Sequence, residues 1–110
     1  MLHRTERVSP RDPRGWFVAT GIGMAHFFAE RFDEAAMWTQ KALIQNPRFT
    51  PALRFLAASL AKLGQRERAR EVIQQVLEIE PNLTVSSLRN RLYFINELYA
   101  GALRLAGLPE

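Results

Sequence analysis

The sequence predicts an all-α fold of antiparallel helical hairpins, and three observations carry that expectation. Pro13, Pro47 and Pro81 recur at a constant spacing of 34 residues. Between consecutive prolines the apolar residues fall at the i, i+3/4, i+7 spacing of amphipathic helices. Small residues stand where the two helices of a hairpin must approach closely: Gly23 and Ala35 in the first copy, Ala57 and Ala69 in the second. A bulky residue at any of these is expected to hold the helices apart.

Taken in order, the first helix is expected over residues 16–29, with Ala19, Ile22, Gly23 and His26 on one stripe. The second is expected over 33–46, with Ala35, Thr39, Ala42 and Leu43. After Pro47 the pattern returns without a gap, as Leu53, Leu56, Ala57 and Leu60 and then Ala69, Ile73, Val76 and Leu77. Thr50-Pro51 reads as an N-cap followed by proline at the first helical position, Gly64 as the close of that helix, and Asp33 as a cap in the first hairpin. Two further helical patterns run over 84–92 and 96–106, and Gly107 and Pro109 stop the last one.

The 34-residue period is that of the tetratricopeptide repeat (TPR), and the sequence resembles that family at particular positions. Small residues match at Gly23 and Ala57, alanine at Ala35 and Ala69, small or apolar residues at Ala42 and Val76, and proline at Pro47 and Pro81. Glu30 departs from the pattern, standing where the family usually has glycine, and His26 and Thr39 replace the usual aromatics. The resemblance implies hairpins stacked as a TPR-type right-handed superhelix, with repeat 1 at 15–48, repeat 2 at 49–82 and C-terminal capping helices at 83–110. Asn90 and Arg91 occupy positions where a third unit would place apolar and small residues, which is why the end reads as a cap. Residues 1–14 form an N-terminal segment in which Val8 to Pro13 resembles the last turn of a preceding repeat, so a fragment or truncated relative is expected. The terminal segments 9–13 and 106–110 resemble the C-terminal TPR segments behind bacterial class III adenylate cyclase domains and some transcriptional regulators.

Composition bounds the function classes. The chain has 110 residues, 47% of them apolar, enough for one domain that buries roughly two-thirds of its extended surface and too few for a second. Cysteine is absent, so disulfides and thiolate metal sites are excluded, and a metal would depend on His3, His26 and carboxylates. Fifteen Lys and Arg against eleven Asp and Glu leave a net charge of +4, a mild preference for acidic partners. The most apolar stretch, 15–29, falls short of the ~20 residues a membrane span needs and is interrupted by His26. Met1-Leu2-His3-Arg4 lacks the apolar core of a signal peptide, so a cytoplasmic location is expected.

Catalytic readings find little to stand on. Gly21-Ile22-Gly23 could open a dinucleotide fingerprint, but His26 stands where its third glycine belongs, and the glycines read better as close-packing helix residues. His26 has only Glu30 within helical reach as a second ligand, so it reads as a structural histidine. Glu67, Glu71, Glu78 and Glu80 interleave with Arg66, Arg68 and Arg70 as a solvated face of i, i+3 and i, i+4 pairs. Arg4, Arg7, Arg11 and Arg14 make the N-terminal segment basic, yet acidic residues are mixed throughout and no aromatic residues alternate with the basic ones, which disfavours nucleic acid.

The TPR resemblance implies a non-catalytic protein–protein interaction module, an adaptor or scaffold with no cofactor and no metal, whose first helices line a concave groove. The implied groove residues are Phe17, Thr20, Met24, Phe27 and Phe28 in the first unit and Pro51, Arg54, Ala58, Ala61 and Lys62 in the second. That groove is apolar at one end and basic at the other, and suits a protein or peptide. The lysine and asparagine clamp of chaperone-binding TPRs is absent, since Thr20, Met24 and Phe55 occupy its positions. A second reading is self-association: Phe27 or Phe28, left uncovered, would form an apolar patch pairing with another copy as a homodimer. A third is a regulatory segment of a cyclase-like signalling protein, although no cyclase catalytic residue is present.

Overall fold

The computed structural model describes residues 14–92 and 95–110. Among the described residues six helices follow one another: α1 (Gly15–Phe28), α2 (Phe32–Gln45), α3 (Thr50–Lys62), α4 (Arg66–Ile79), α5 (Val85–Arg91) and α6 (Glu97–Ala106). Among the described residues there is no strand. The expected segment Val8 to Pro13, the basic residues Arg4, Arg7 and Arg11, and His3 lie outside the described residues.

α1 pairs with α2 and α3 with α4, and the hairpins stack through α2 against α3. The residues that let the helices of a pair close up are those of the repeat: Ala35, Ala57 and Ala69 are fully buried. At Gly23 a Cβ would lie 2.8 Å from Thr39 Cγ2 and 3.2 Å from the Ala35 carbonyl oxygen, so only glycine allows this approach. The internal stripes are equally closed, with Thr39, Ala42, Ala57, Ile73 and Val76 all at 0% exposure. Thr39 buries its hydroxyl by donating to the carbonyls of Ala35 (2.8 Å) and Ala36 (3.1 Å).

Three helices end in the same way. Glu30, Gly64 and Gly107 adopt left-handed backbone, with φ of 63°, 84° and 109°. After each, the next N–H reaches back to the carbonyl five residues earlier: Arg31 to His26 (2.9 Å), Gln65 to Leu60 (2.9 Å) and Leu108 to Leu103 (3.0 Å). This geometry satisfies carbonyls that a helix end leaves free. The repeat therefore imposes its turn on Glu30 although the residue is not glycine.

Helix starts differ from expectation in detail. α3 begins one residue early, with Phe49 as N-cap and Thr50 already helical. The Thr50 hydroxyl donates instead to Glu80 Oε2 at 3.2 Å, tying the start of α3 to the end of α4. α2 begins at Phe32, so Asp33 sits inside the first turn with Glu34, where negative charge suits the helix N-terminus without capping it. α5 does open on a capping box, in which Ser87 N–H donates to Thr84 Oγ1 (3.1 Å) and Thr84 N–H to Ser87 Oγ (2.9 Å).

The largest departure from simple stacking is at the C-terminus. A helix continuing the stack would pack on α4, as α3 packs on α2; α6 instead packs chiefly on α3. Its buried stripe is Tyr99, Ala102, Leu103 and Ala106, the i, i+3, i+4, i+7 set of one helical face. The tail then doubles back, and the carbonyls of Pro109 and Glu110 accept the Val85 and Ser86 N–H groups at 2.8 and 3.0 Å. Those are N-terminal donors of α5 that have no partner within the helix.

Candidate functional site: an open half-groove

α6 divides the expected groove into two unlike halves. Over the second unit it is covered. Tyr99 lies flat on Phe55, with ring centroids 4.3 Å apart and planes 5° from parallel. Edge-to-face contacts join Phe27 to Phe28, Phe32, Phe55 and Tyr99 at 5.3–5.6 Å. Aromatic pairs in these geometries add to the gain from burial itself.

The cluster corrects several expected positions. Phe27 is 0% exposed, and Phe28 is half-buried against Phe55 and Tyr99. Neither forms an exposed patch, because α6 supplies the cover that sequence reasoning sought in a preceding repeat. Ala58 and Ala61 are buried as well, so neither offers a side chain to a partner in this arrangement. Lys62 is exposed at the end of α3, its ammonium 5.8 Å from the centre of the Phe32 ring.

Over the first unit the face is open. Phe17, Thr20, Gly21 and Met24 of α1 and Pro51, Arg54 and Phe55 of α3 line a cavity of about 380 Å³, together with Phe49 and Leu92. Phe17 stands on the rim, 64% exposed. The structure thus gathers Phe17, Thr20, Met24, Pro51 and Arg54 of the expected groove, and leaves Phe27, Phe28, Ala58, Ala61 and Lys62 outside it. Gly21, Phe49 and Leu92 line the cavity without having been expected to, and Phe55, expected only as the residue standing in the absent clamp's place, lines it too. The repeat carried a signal for one of them: Gly21 is the counterpart, one period earlier, of Phe55. Phe55 fills its place with a ring stacked on Tyr99, whereas a Cβ at Gly21 would meet nothing within 4 Å.

Among the described residues that line it, the cavity wall is apolar apart from two side chains, Thr20 and Arg54. The Thr20 hydroxyl donates to the Trp16 carbonyl at 2.7 Å. Arg54 is only 5% exposed, and its Nε donates to the Tyr99 hydroxyl at 3.4 Å, near the limit of a hydrogen bond. Burial pushes the Tyr99 phenol above its ordinary pKa, while the neighbouring Arg54 charge and its hydrogen bond pull the other way.

Elsewhere the charged groups act locally. Arg31 Nε donates to His26 Nδ1 at 2.9 Å, and Glu34 lies 3.6 Å from the same nitrogen, so the imidazole is held by its own hairpin. Among the described residues no three His, Asp or Glu side chains gather as a metal site. No helix among them is long and apolar enough to cross a membrane.

The tetratricopeptide-repeat family profile matches residues 27–92, and the chain belongs to that family. TPR units generally mediate protein–protein interaction and are typically non-catalytic. No protein of established function and no solved structure matches the chain significantly.

Proposed function

We propose that the chain is an adaptor or scaffold that binds a protein or peptide surface through the open half of the face shared by α1 and α3. One observation carries this reading: Phe17, Met24 and Arg54 line one apolar cavity with an exposed aromatic rim. Exposed apolar surface of that kind marks association sites. Affinity capture with the intact chain, followed by proteomic identification, tests it. Partners retained by the wild type and by Ile44→Glu, a change at an exposed position of α2, are expected to be lost with Met24→Glu. Equal capture by all three proteins would sink the proposal.

Self-association through the same face is the second reading, favoured by the 64% exposure of Phe17. A homodimer is then expected in light scattering across a concentration series and is expected to dissociate with Phe17→Glu; a constant monomer mass rejects it. The resemblance of the terminal segments to cyclase-associated TPR tails supports a place in cytoplasmic bacterial signalling. Captured partners with no signalling proteins among them would count against that context.

A further inference from the structure

Resting on the proposed protein-binding role, we infer that the open half of the face takes one amphipathic α-helix of a partner protein. That helix lies along α1 as α6 lies along α3, and seats an aromatic side chain over Gly21. The chain itself supplies the pattern. α6 packs chiefly on α3 through one stripe, Tyr99, Ala102, Leu103 and Ala106, each no more than 1% exposed. The open half begins where that interface stops: Arg54 and Phe55 line the cavity and also meet Tyr99, through its hydroxyl and its ring.

The repeat carries the pattern one period back. Phe17, Gly21 and Met24 are the counterparts of Pro51, Phe55 and Ala58, 34 residues later. Residues 52–61 of α3 are all buried, whereas Phe17 and Gly21 are exposed and Met24 is half-buried. An extended peptide would bring its backbone N–H and C=O groups against Phe17, Met24, Phe49 and Leu92, which offer them no hydrogen bonds. The Thr20 hydroxyl is already given to the Trp16 carbonyl at 2.7 Å. A helix satisfies its backbone groups internally and presents only side chains to such a wall. Gly21 decides which side chain leads. A Cβ there would meet nothing within 4 Å, so the place that the Phe55 ring fills in the second unit is open to a ring from the partner. Met24, unbranched and polarizable, adapts to that ring, and aromatic anchors sunk in pockets dominate the affinity of interfaces.

The probe is a synthetic peptide of residues 95–107, the α6 sequence, with Tyr99→Phe to remove a hydroxyl that the cavity would leave unpaired. A hydrocarbon link between positions 101 and 105, off the buried stripe, holds it helical, since a free helix this short is marginal in water. Binding to the intact chain is followed by fluorescence anisotropy and by the methionine methyl resonances. The peptide is expected to bind saturably, to shift Met24 and to leave Met37 of α2 unmoved. Tyr99→Ala in the peptide, or Gly21→Phe in the protein, is expected to weaken binding about tenfold or more. Should Gly21→Phe fail to fold, the Met24 shift and the Tyr99→Ala peptide decide. No saturable binding at millimolar peptide, or equal binding of the Tyr99→Ala peptide, would overturn the inference. So would full binding to Gly21→Phe, which would put the peptide on α3 in exchange for α6. Equal binding of an Ala102→Pro peptide, which cannot stay helical, would give the cavity to an extended chain, and binding lost as a dimer of the chain forms would give it to a second copy. Partners captured through Met24 with no peptide bound would remove the helix and keep the protein-binding role.

Discussion

Each of three helices ends on a left-handed residue, and at Glu30 that residue has a side chain. For a non-glycine residue the left-handed region costs roughly 1–2 kcal/mol. Glycine recovers most of this and returns part of it through the freedom of its unfolded chain. Glu30→Gly is therefore expected to stabilise the protein by about 1 kcal/mol, raising the thermal midpoint by about 4–8 °C. The two glycines of α1 form a contrasting pair. Gly23 abuts Thr39, which cannot swing away freely because its hydroxyl is bonded to Ala35 and Ala36. Gly23→Ala should cost about 1–3 kcal/mol by overpacking, while Gly21→Ala, in open space, should gain about 0.5–1 kcal/mol of helix propensity. Urea unfolding of the two variants measures both signs.

At the level of elements, the four helices of the two hairpins were legible in the sequence because their signals are local or periodic. The stripes, the 34-residue spacing and the small residues at contact points agree with one another, and no contact between distant segments is needed to read them. Helix starts were less legible: Thr50 and Asp33 have capping chemistry, but the chain enters α3 at Phe49 and α2 at Arg31. The placement of α6 was not legible at all. It depends on Tyr99 meeting Arg54, 45 residues earlier, and on Tyr99 stacking with Phe55, contacts that no periodicity announces. Five of the expected groove residues line the cavity, whereas Phe27, Ala58 and Ala61 are buried and Phe28 is half-buried beneath the cover that α6 supplies.

Two titrations test that cover. The Tyr99 phenol, raised above its ordinary value of 10.0 by burial, contributes stability that is full below that pH and is lost as pH rises through the higher folded-state value. Tyr99→Phe is expected to lose less stability than the wild type between about pH 8 and pH 11, read as the change in thermal midpoint. Glu97 behaves oppositely, its carboxyl held below the ordinary 4.5 by hydrogen bonds from Arg89 and Arg104. Its contribution is present above that value and lost as pH falls through the lower folded one. The melting difference between Glu97→Gln and the wild type should therefore be visible at neutral pH and vanish in acid.

For the whole molecule, folding back α6 gives a closed body. The radius of gyration is 13.3 Å, close to the ~13 Å of a compact chain of this length. The functional consequence is an asymmetric face, sealed over the second repeat unit and open over the first. Since the chain has no cysteine, single-cysteine variants report that asymmetry without background. Thiol labelling of Met24→Cys and Ala58→Cys under native conditions is the most direct measurement. Met24→Cys is expected to react at a rate approaching that of the unfolded chain, and Ala58→Cys to be protected until α6 opens. Equal labelling of the two positions would mean that α6 does not seal the second unit, and would contradict the account.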